Sequence, residues 1–82
     1  MEPKKTLELI RRSATDFYEQ IRTSIAAGKH NTALTQRSML CGVNAVTRAL
    51  CVECVSPEHR AAISALHSDV TEMYLTCMRR GN

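Results

Sequence analysis

The stretch "CVECVSPEHR", Cys51 to Arg60, decides how this chain is divided. Its first half carries a Cys-x-x-Cys that could be a metal clamp, a redox pair or the apolar end of a helix. Its second half reads as a helix start. Ser56 is placed to cap, Pro57 suits the first helical position, and Glu58 suits the positive end of the dipole. Cys51 and Cys54 therefore fall in the last turn of a preceding helix. There the dipole raises a thiol pKa, and Glu53 acts in the same direction, whereas redox pairs use the helix N-terminus to stabilise a thiolate. A thioredoxin-like role is disfavoured, and no βαβ pattern accompanies the motif.

Working outward, the apolar period divides the chain into three segments. Leu7, Ile10, Ala14, Phe17, Ile21 and Ile25 form one stripe of an amphipathic helix, with Glu8, Arg11, Arg12, Glu19 and Arg22 on the opposite face. "AAGKHN" ends that helix, with Gly28 suited to a left-handed cap and Lys29 or His30 beside the terminal carbonyls. Asn31 or Thr32 is the expected cap of a second helix, whose stripe is Met39, Val43, Val46, Leu50 and Cys54. A second, small-residue face of that helix holds Ser38, Gly42, Ala45 and Ala49. Gly42 costs about 1 kcal/mol relative to Ala, which close approach of another helix, from this chain or a second copy, would offset. After the Ser56-Pro57 turn the third seam is Ile63, Leu66, Val70, Met73 and Cys77, widened by Tyr74 and Met78. Arg79 and Arg80 suit its negative end. Residues 1–82 are expected to form one all-α domain, a three-helix antiparallel bundle with helices near 5–27, 32–54 and 57–79.

The composition agrees with this reading. Of 82 residues, 44% are hydrophobic and 23% charged, with no low-complexity tract. Phe17, Tyr18 and Tyr74 are the only aromatics. A core built without more of them is light, and completion by a second copy is expected, through Ser38, Gly42, Ala45 and Ala49. Neither a signal peptide nor a membrane span is expected, so the cytoplasm of a bacterial host is the expected location, with reduced cysteines. The net charge of +3 permits an acidic partner without requiring one.

Zinc is the main chemical alternative for the opening stretch. Cys51, Cys54 and His59 could approach one another across the turn, but a structural site needs four ligands. His67 is eight residues from His59 along one helix, roughly 12 Å of axial rise, so the two cannot share an ion. Buried small apolar residues are the better reading of these cysteines, and neither a metal nor a cofactor is expected. The serines sit in no Gly-flanked elbow, paired carboxylates are missing apart from Asp16 with Glu19, and no Gly-rich loop could cradle a phosphate. Enzyme activity is not expected. The basic residues occur in small groups with acids between them, which does not suit a nucleic-acid reader. Arg37 lies early in the second helix, near Tyr18 if the first two helices pair antiparallel.

Two segments carry a resemblance. "RRSATDFYEQI" (Arg11 to Ile21), followed by "TQRSM" and an Ala- and Leu-rich helix, resembles the small anti-quorum-sensing and pilus-inhibiting proteins of Pseudomonas phages. The matching positions are Ala14, Thr15, Asp16, Phe17 and Tyr18, then Arg37 and Ser38, within residues 6 to 54. The resemblance implies a compact helical dimer that inhibits a host protein, either the type IV pilus extension ATPase or a quorum-sensing regulator. Those relatives are more acidic, which favours the ATPase for a chain of +3, and the third helix has no counterpart in them. Partner contacts are assigned to Tyr18, Arg22 and Arg37, residue types that dominate binding hot spots, with Asp16 and Arg11 at the rim. "NAVTRA" (Asn44 to Ala49), after "ALT", is similar to a run in phage helical sponges for cyclic oligonucleotides. Signal sequestration is therefore the alternative, and a purely structural oligomer is a third reading.

Overall fold

The computed structural model describes residues 3–54 and 56–80. Three helices, α1 (Pro3–Ala26), α2 (His30–Glu53) and α3 (Pro57–Arg80), pack against one another, with no strand among the described residues. Each has 24 residues, about 36 Å of helix. Short turns force sequential helices to run antiparallel, leaving α1 and α3 parallel. Ser24 of α1 meets Gln36 of α2, Asn44 of α2 meets Thr71 of α3, and Arg11 meets Asp69 across α1 and α3.

The first turn is a Schellman motif. Gly28 takes φ +73°, the left-handed conformation that favours glycine. Lys29 N–H donates to the Ser24 carbonyl at 2.8 Å and Gly28 N–H to the Ile25 carbonyl at 3.1 Å. These six-to-one and five-to-two bonds satisfy carbonyls that the helix end would otherwise orphan. The motif reverses the chain so tightly that α2 starts at His30, ahead of the expected caps. Asn31 and Thr32 lie inside the helix, and Lys29 caps it without a side-chain bond.

At the second turn the helix start is as expected. Cys54 leaves α2 in an extended conformation (ψ 125°), and Pro57 opens α3. The Ser56 hydroxyl accepts a long bond from His59 N–H at 3.5 Å, and its carbonyl accepts from Arg60 N–H at 2.8 Å. Arg60 also turns back onto α2: its Nε donates to the Cys54 carbonyl at 3.1 Å, joined by Nη2. One cation thus covers the negative end of α2. The expected role of Arg80 at the end of α3 falls on a side chain outside the described ones.

Ala14, Ile21, Leu40, Leu66, Val70 and Cys77 form the buried core, edged by Leu7, Ile10, Phe17, Tyr18, Ile25, Val43, Met73 and Tyr74. The α1 and α3 seams are those read from the sequence, except that Met78 is exposed. The α2 seam is not. Its buried residues are Ala33, Leu40 and Thr47, while Met39 and Val46 are 49% and 54% exposed and Leu50 is also exposed. The helix is turned by roughly 80° from the expected seam. From Leu34 to Val52 only Arg37 and Arg48 are charged, so apolar period alone leaves the phase of α2 undetermined. Polar pairs across the interfaces set it instead. Gly42 ends up facing outward, with nothing within 4 Å of where a Cβ would stand. No helix of this chain approaches it, which removes one of its two expected compensations.

Candidate binding surface

On α1, Arg11, Tyr18 and Arg22 fall within about 40° of one another around the axis. This brings three of the five residues assigned to partner contact onto one face. The Arg22 guanidinium lies 5.7 Å from the centre of the Tyr18 ring, within cation–π range. Its Nη1 is 3.6 Å from Glu19 Oε1. Tyr18 has its ring against the core and its edge in an open α1–α3 groove of about 370 Å³, which Arg11, Glu19, Asp69, Glu72 and Met73 also line. Arg11 is ion-paired to Asp69 across this groove, both side chains being about half exposed.

The other two assigned residues lie elsewhere. Asp16 is exposed and about 160° around α1 from Tyr18. Arg37 is half-buried and is felt by Tyr74 rather than placed in the Tyr18 groove. The Tyr74 hydroxyl is held above its ordinary ionisation range. Its hydrogen bond to Cys41 is the largest cause, burial and the Cys41 charge add to it, and the Arg37 cation opposes.

A polar network that the sequence reading missed joins α2 to α3. Asn44 Nδ2 donates to Thr71 Oγ1 at 2.9 Å, which turns Asn44 Oδ1 toward His67 Nε2 at 3.1 Å. His67 then donates, so its proton sits on Nε2. The fully buried Thr47 donates to the Asn44 carbonyl at 2.8 Å. The available signal was two polar residues, Asn44 and Thr47, one turn apart in the otherwise apolar run from Met39 to Thr47. His67 is thus engaged away from the opening cysteines, and Asn44 of the "NAVTRA" run is committed to packing. Cys51 and Cys54 are half-buried, Cys77 is buried and Cys41 is exposed, with no disulfide among them. Among the described residues no three His, Cys, Asp or Glu side chains are grouped as metal ligands. No described helix is long and apolar enough to cross a membrane.

The outer face of α2 is the second notable surface. Leu9, Phe17, Met39, Gly42 and Val46 line an apolar α1–α2 groove of about 480 Å³. The band continues along α2 through the exposed Ser38, Ala45, Ala49 and Val52. No family model, curated protein or solved structure matches this chain.

Proposed function

We propose that this chain is a non-catalytic binding protein that inhibits a host protein by covering part of its surface through the Tyr18–Arg22 face of α1. The observation that supports this reading is the stacking of Arg22 on Tyr18 beside an open groove. An aromatic and an arginine already fixed by each other lose little freedom on binding, and these residue types supply most interface energy. Arg11, tied to Asp69, acts at the rim. The resemblance to phage inhibitors supplies the candidate target, the type IV pilus extension ATPase, with a quorum-sensing regulator second.

Expression in a piliated host should abolish twitching, and the ATPase should be recovered with the tagged protein. Arg22→Glu, on an exposed side chain, should weaken binding by at least about thirtyfold while leaving the helical circular dichroism intact. Unchanged twitching with no ATPase recovered would reject the target. Binding that ignores Arg22→Glu would reject the face.

A further inference from the structure

We infer that the outer face of α2 is covered by α2 of a second copy of this chain, antiparallel about a two-fold axis at Gly42. This inference is independent of the host target, because it uses the surface on the other side of the molecule from the Tyr18 groove.

In the single chain α2 leaves Met39 49%, Val46 54% and Val52 72% exposed, an apolar band of the kind that marks an interaction surface. The exposed band runs from Leu34 to Val52, roughly 27 Å. With the α1 edge at Leu9 it is about 20 Å wide, two packed helices. Two copies would bury roughly 1,000 Å², about what a specific association requires.

Charge and size both select the occupant. The band carries Glu53 at one end, whereas Lys29, the N-cap of α2, stands above the buried Ala33 and about 120° round the axis from Glu53. A second α2 laid antiparallel sets each Glu53 against the partner's Asn31, which is uncharged, and does so twice. A parallel copy would set like charges together. With Gly42 on the axis, Met39 faces the partner's Ala45 and Val46 faces the partner's Ser38, a large side chain against a small one on either side of the axis. The open space over Gly42 lets the backbones approach most closely at the axis. Ser38 bonds only along α2, to the Leu34 carbonyl, and the bonds that join α2 to its neighbours run through residues such as Gln36 and Asn44 instead, so residues of this face can be changed without disturbing the fold.

Sedimentation velocity from about 1 to 200 µM should show the 9.2 kDa chain doubling in mass, with a dissociation constant in the micromolar range. Ala45→Glu should hold it monomeric with unchanged circular dichroism. Asn31→Lys, which sets a cation against the partner's Glu53, should strengthen association about tenfold, and adding Glu53→Lys should cancel the gain. Arg22→Glu should leave the mass unchanged, which separates this surface from the host-binding face. A chain monomeric throughout the range overturns the inference, as does a dimer indifferent to Ala45→Glu. An Asn31→Lys gain that is absent, or that survives Glu53→Lys, overturns the antiparallel two-fold.

Discussion

Gly28 and Gly42 should respond in opposite directions to the same substitution. At Gly28, alanine must adopt φ +73°, so Gly28→Ala should cost about 1 kcal/mol or more in chemical denaturation. At Gly42, alanine meets open space in a helix interior, and the single chain should gain up to about 1 kcal/mol, measured at concentrations too low for association. Gly28 was legible because a glycine after "AA" and before "KHN" fits only a helix end, whereas the cap of α2 was not, since the Schellman bonds fix the exit without needing a capping side chain. Tyr74 offers a second test at this scale. The folded chain holds its phenolic proton more tightly than the unfolded chain does. Its contribution is therefore complete below the ordinary value of 10.0 and is lost as pH rises through the higher folded pKa. Cys41→Ala should move the Tyr74 phenolate step in the ultraviolet absorbance titration down toward that value, and Tyr74→Phe should delete the step.

Helices α1 and α3 carry enough charge on their outer faces to give one apolar phase each, and both seams were readable. Helix α2 admits two phases, and sequence period chose one whose Met39, Val46 and Leu50 lie at the surface. The decisive interactions are Asn44 with Thr71 and Ser24 with Gln36, which require knowing which helices meet and at what height. The observed phase makes an unambiguous prediction. Leu40→Ala should destabilise by about 2–5 kcal/mol, while Met39→Ala should stay within about 0.5 kcal/mol in the single chain. Asn44→Leu should cost about 1–3 kcal/mol by leaving His67 and Thr71 without their shared partner. Equal effects at Leu40 and Met39 in thermal unfolding would contradict the rotation described for α2.

For the molecule as a whole, helix number, order and turns could be read in advance, and so could the grouping of Arg11, Tyr18 and Arg22 at intervals of seven and four. The groove wall opposite them could not, because Asp69, Glu72 and Met73 reach it only through the α1–α3 register. The Arg11–Asp69 pair across that groove is half exposed and should contribute about 0.2–1 kcal/mol, falling with added salt. An odd number of equal antiparallel helices places Pro3 and Arg80 at opposite ends of a body whose longest dimension is 43 Å. Tension applied through those two points runs along the helix axes and slides α1 past α3, loading the whole interface at once. The chain should therefore resist stretching as a clasp that must shear, and would not peel open one turn at a time.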